Sequence, residues 1–168
     1  MKPVDQSPNG TPPWHSLFAP LPADAIPRRQ PVAPPETLAK PEGAAIAGWE
    51  QLTLELSAGY DGLRMLLVVL DGDGQPISAS DLVLYRSETT QGSDTLITYR
   101  QESLGGRLEA DGSFRGTRWH TLTVESADGR EIQKELTPSE PAAADVSALK
   151  ALVADMLRRA RGNVAGSD

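Results

Sequence analysis

The sequence predicts a mainly β protein. The expectation is an antiparallel sandwich, or a curved sheet or half-barrel, of about seven strands, followed by one C-terminal amphipathic helix and preceded by an extended proline-rich arm. Three observations carry it: short apolar runs separated by Asp-Gly turns, one late stretch with helical spacing, and prolines crowded at the start.

Eleven of the fourteen prolines fall within the first 41 residues. Each lacks an amide donor and fixes its own φ, so residues 1–45 form an arm or linker and neither a long helix nor a central strand. The arm is not uniformly polar. "PPWHSLFAPLP" sets Trp14, Leu17, Phe18 and Leu21 close together, which suits an extended segment that docks on a surface. The surface is that of a partner or, in a variant of the same idea, of the chain's own domain.

Residues 46–162 read as the domain. In "WEQLTLELS" Leu52, Leu54 and Leu56 alternate with polar residues, the period of a strand with one buried face. "GLRMLLVVL" at 62–70 is apolar on both faces: Leu63, Met65, Leu67 and Val69 on one, Leu66, Val68 and Leu70 on the other. Such a strand calls for cover on both sides. "DGDGQP" turns the chain, Leu82–Tyr85 is a further strand, and "TLITYR" at 95–100 another. Two strands hinge at Asp111-Gly112, and "REIQKEL" at 130–136 follows Asp128-Gly129.

Residues 142–161 change period. Val146, Leu149, Leu152, Val153, Met156, Leu157 and Ala160 recur every three or four positions, with Asp145 or Ser139 as the cap, Arg158, Arg159 and Arg161 at the negative end and Gly162 as the stop. The apolar stripe is expected to pack on the spare face of the 62–70 strand, and residues 163–168 to be a disordered tail.

Composition narrows function. With 23 acidic and 16 basic residues the net charge is −7, which disfavours nucleic acid and anionic lipid as partners. The absence of cysteine excludes disulfides, thiol nucleophiles and cysteine metal sites. No run of 18 apolar residues and no signal-like start is present, so the expectation is a cytoplasmic protein without a membrane partner.

Catalytic motifs are absent: there is no HExxH, GxSxG, GxGxxG or GK[ST]. Asp71 and Asp73 share two spacings with a calcium loop, but Pro76 and Leu82 stand where such a loop needs glycine and a carboxylate. Neither metal nor cofactor is expected. The first functional expectation is therefore a non-catalytic accessory or protein-binding subunit that contacts another protein through Trp14, Leu17, Phe18 and Leu21, with Trp119 as an interface residue on the sheet.

The alternative is a small-molecule-binding domain or small enzyme. "RLEADGSFRGTRWHT" puts Arg118 and His120 on one strand face beside Gly116, where Arg118 would hold an anion and His120 handle a proton, with Tyr85 or Tyr99 lining the wall. Against it stands a bulge at Gly116, which would put Arg118 and His120 on an exposed rim and bury Trp119. A third reading is a homodimer that buries the second face of the 62–70 strand against its own copy.

Overall fold

The structure is a computed structural model that describes residues 12–32, 48–57 and 62–166, with side chains described as far as Gly162. It is mainly β. The strands are β1 (Arg28–Pro31), β2 (Glu50–Ser57), β3 (Gly62–Leu70), β4 (Pro76–Gln91), β5 (Asp94–Leu108), β6 (Phe114–Ser126) and β7 (Glu131–Ser139), and one helix follows, α1 (Ala143–Gly166). Every strand pairs antiparallel with its sequence neighbours, in the order β1-β2-β3-β4-β5-β6-β7. All seven described strands thus belong to one open sheet, which corrects the sandwich alternative, and the edge strands β1 and β7 do not pair to close a barrel.

The count of seven is reached differently from the sequence expectation. The runs read as separate strands around 95–100 and before Asp111 are one strand, β5. Its partner β4 extends through the polar stretch "SETTQ" to a two-residue turn at Gly92-Ser93, where Gly92 takes a φ of 63°. The seventh strand comes from the arm: β1 is a short edge strand on β2, a position that tolerates Pro31 because its nitrogen has no ladder bond to make.

Among the described residues, the three other hairpin turns are held by aspartates. Asp71 Oδ1 accepts from the Asp73 and Gln75 amides, Asp111 Oδ1 from the Ser113 amide and hydroxyl, and Asp128 Oδ1 from the Arg130 amide. The Asp71 carboxylate, which shares two spacings with a calcium loop, is a turn acceptor.

One face of the sheet is covered, and no described element packs on the other. Leu52, Leu54, Leu66, Val68, Leu70, Ala79 and Leu104 pack under Leu149, Leu152, Val153, Met156 and Ala160 of α1, and Leu21 of the arm closes the same core. The helix stripe therefore lies where its spacing directs it. Asp145 is the N3 residue: its carboxylate accepts from the Ala142 amide, half of a capping box, while Ser139 belongs to β7. The helix does not stop at Gly162 but continues to Gly166, through most of the stretch expected to be a tail. No described helix is long and apolar enough to cross a membrane.

Met156, fully buried beneath the helix, is the measure of this packing. Met156→Ala is expected to destabilise the fold by about 2–5 kcal/mol, read as a lower urea midpoint at unchanged slope. A loss below about 1 kcal/mol would mean that α1 does not sit on the core.

Candidate functional site

The inner face contains a charge at a position its pattern reserves for core. Arg64 on β3 lies among Leu66, Val68 and Leu70 and is 0% exposed, as is Asp81 on β4. They are diagonal neighbours, Arg64 standing opposite Val83 and Asp81 opposite Leu66. Arg64 Nε donates to Asp81 Oδ1 at 3.1 Å and Nη2 to Oδ2 at 2.9 Å, a bidentate fork. Nη1 donates outward to the Trp14 carbonyl at 2.8 Å and the Ala19 carbonyl at 2.7 Å. Asp81 Oδ2 also accepts from the Phe18 amide at 2.8 Å. To present that amide, Phe18 adopts a φ of 68°, a left-handed conformation strained for a residue with a Cβ.

The rest of the arm is held by the same logic. Arg159 on α1 donates from Nη1 to the Pro22 carbonyl at 2.5 Å and the Ala25 carbonyl at 2.7 Å, and its Nε is held by Asp155 at 3.0 Å. His15 is buried, with Nε2 donating to the Leu84 carbonyl at 3.0 Å and its ring 4.6 Å from that of Tyr85. Gly62 makes the room: a Cβ there would lie 2.1 Å from His15 Cε1. Burial, with Glu102 adding to it, raises the Tyr85 hydroxyl above its ordinary pKa.

The arm residues read as partner anchors are thus engaged within the chain. Leu21 is in the core, the Phe18 ring lies 5.8 Å from the Arg118 guanidinium, Trp14 stands edge-on to His15, and Leu17 is half-buried. The variant in which the arm folds onto its own domain is the one realised over residues 12–32. Residues 1–11 and 33–45 of the expected arm lie outside the described residues.

The pocket constellation is not assembled. Arg118 is spent on structure: it donates from Nη1 to Asp145 at 2.9 Å and reaches Glu102 at 3.5 Å, tying β6 to the start of α1. His120 is on the same face but exposed, opposite Glu102 and Thr137 at the sheet margin. Tyr85 lies on the inner face and Tyr99 on the outer, so they do not share a wall. The register runs unbroken through Gly116, without the expected bulge, and Trp119 is 37% exposed. An open groove of about 620 Å³ does lie beside α1, between Lys150, Val153 and Leu157 and the turns at Asp71 and Glu109, away from all four residues.

The uncovered outer face is the other distinctive surface. Antiparallel pairing sets its side chains in rows across the strands. One row reads Met65, Leu82, Ser103, Trp119, Pro138 and the next Leu63, Leu84, Gln101, Thr121, Leu136. The row on the other side of Met65 reads Leu67, Ser80, Gly105, Thr117. From β3 outward, none of the three carries a charge, in a chain of which 23% is Asp, Glu, Lys or Arg. Trp119 is near the middle, Leu136 is 58% exposed, and the apolar residues of β3 and β4 are half-buried by their neighbours alone, since no described element packs on this face.

No protein-family model matches the chain, and no curated protein or solved structure is significantly similar to it.

Sequence reasoning missed Arg64, His15, Gly62 and Arg159 as the residues that fasten the arm. The available signal was Arg64 itself, a charge at a core position of β3 that demanded a carboxylate in an adjoining strand. Asp81→Ala is expected to leave Arg64 buried and uncompensated, destabilising the fold by about 3–5 kcal/mol and opening Arg28 and Arg29 to trypsin. Unchanged melting and unchanged protease resistance would refute this role.

The pH dependence of Tyr85 follows from its raised pKa. Its stabilising contribution is complete below the unperturbed value of 10.0 and is lost as pH rises through the higher folded-state value. A tyrosinate absorbance titration of the native chain against Tyr85→Phe is expected to differ by a step above pH 10.0, and a step at or below it would contradict the assignment.

Proposed function

We propose that the protein is a non-catalytic binding module that docks on another protein chain through the outer face of its sheet, with Trp119 at the centre of the contact. The single observation that supports this is the charge-free field spanning β3 to β7 on a face that no described element covers. A solvated sheet face ordinarily alternates to polar and charged residues, and an apolar field of this extent on a soluble domain marks an interaction surface. Trp119, with Leu136 and Pro138 beside it, has the composition of an interface anchor within a neutral surround.

In this reading the arm is an internal strap and not the docking element, because its carbonyls and apolar side chains already have partners in the chain. The pocket alternative loses its anion holder, since the Arg118 charge is met by Asp145 and Glu102.

A photo-crosslinking residue in place of Thr121, on the outer face, is expected to give a covalent product with a second polypeptide in cells. The same residue in place of Ala154, exposed on α1, is expected to give none. Adding Trp119→Glu is expected to abolish the Thr121 product while leaving the far-UV circular dichroism of the chain unchanged, because this side chain supports no core contact. No product from position 121, or one indifferent to Trp119→Glu, would remove the reading.

A further inference from the structure

The docking face has polarised ends, and resting on the reading above, these identify what covers it. On the outer face the β4–β6 rows run from Ser78, Arg107, Arg115 at one end to Glu88, Ile97, Glu125 at the other; between them lie the three neutral rows and, next to the acidic end, the row Arg86, Tyr99, Thr123, which Lys134 of β7 extends and in which Arg86 is paired with Glu88. Each end contains a like-charge pair in direct cross-strand register. Arg107 stands opposite Arg115, and Glu125 stands opposite Glu131 of β7. Such pairs are unfavourable in an isolated sheet, and neither Arg107 nor Arg115 has a carboxylate partner among the described residues.

We infer that the occupant is a second copy of this chain, packed face to face about a two-fold axis that lies between the sheets and perpendicular to the strands. That operation reverses the order of the rows and keeps each strand over its own counterpart. The Arg107 and Arg115 end of one copy then meets the Glu88 and Glu125 end of the other, with Arg115 directly over Glu125 of the second copy.

The neutral rows agree with the same axis. Leu82 falls on Leu84 of the second copy, Met65 on Leu63, and Ser103 on Gln101, so apolar meets apolar and polar meets polar. Trp119 falls on Thr121, and the two tryptophans flank the axis. An axis parallel to the strands brings both basic ends together and both acidic ends together, which like-charge repulsion disfavours. The geometry is that of an aligned sheet-on-sheet packing, with the strands offset by roughly 30° through sheet twist. The exposed β7 edge is a poorer self-pairing surface, because Pro138 lacks a donor and Glu131, Lys134 and Glu135 guard it.

Sedimentation velocity of the full chain at micromolar concentration tests the inference. The expected species has twice the 17.9 kDa chain mass and weakens as salt is raised. Arg115→Glu and Glu125→Arg each place like charges together at both symmetry-related contacts and are expected to weaken the dimer about tenfold or more. The doubly exchanged chain restores the pairing and is expected to recover most of that loss. Trp119→Glu dissociates the dimer independently of the charges.

A monomer at all concentrations, a dimer indifferent to either reversal, or a double exchange no better than the single ones would each overturn the inference. A monomeric chain that still gives a Thr121 crosslink to a different polypeptide would overturn the second copy while leaving the docking face intact. A monomer without any crosslink would remove both.

Discussion

The buried fork between Arg64 and Asp81 is the constraint on which the arrangement of the chain depends. Proline removes amide donors from the arm without removing carbonyls, so a segment as proline-rich as residues 12–32 cannot satisfy itself by pairing alone. The fold supplies the missing donors from arginine side chains. Arg64 reaches the Trp14 and Ala19 carbonyls, and Arg159 reaches Pro22 and Ala25. A well-packed apolar pair would fill the same volume at less desolvation cost. It would offer the arm nothing to bond to, and Asp81 would no longer receive the Phe18 amide. The ion pair therefore acts as a positioning device: it holds Phe18 in a strained φ, sets Leu21 onto the core and aligns β1 with the edge of β2.

That arrangement also explains why the sheet is covered once. Helix and arm both lie on the inner face, the helix over Leu66 and Val68 and the arm over the fork. No other described element is left to cover the outer face, where β3 presents Leu63, Met65, Leu67 and Val69. A strand with two apolar faces in a domain with one covering layer is an incomplete structure by the logic of sheet packing.

Much of the fold was legible because periodicity reports which side of an element is buried. The alternation of β2 and the three-four spacing of α1 each correspond to the observed packing, and of the two apolar faces of β3 the one with Leu66, Val68 and Leu70 does. What could not be read from the sequence was long-range. The extension of β4 and β5 through "SETTQ" has no apolar signal, since those residues pair as a ribbon and bury little. The arm looked like a docking peptide because Trp14, Phe18 and Leu21 announce burial without saying against what. Arg118 and His120 share a face as expected, but the partners of Arg118, Asp145 and Phe18, come from opposite ends of the chain, and sequence spacing is silent on them. The same silence hid Gly62, whose missing Cβ has meaning only once the His15 ring is brought over it.

The two faces of the sheet handle charge in opposite ways, and the contrast bears on specificity. Inside, the charges that meet the helix and the arm have dedicated partners: Arg64 with Asp81, Arg118 with Asp145 and Glu102, Arg159 with Asp155. Outside, like charges are placed opposite each other at the two ends of a neutral field. Apolar surface alone would make that face adhesive to any hydrophobic chain. The like-charge pairs Arg107–Arg115 and Glu125–Glu131 restrict it to an occupant that presents the reverse order, because every other alignment leaves both pairs without an opposite charge and removes water from around them. A copy of the same face turned about a perpendicular two-fold presents that order without any further coding in the sequence.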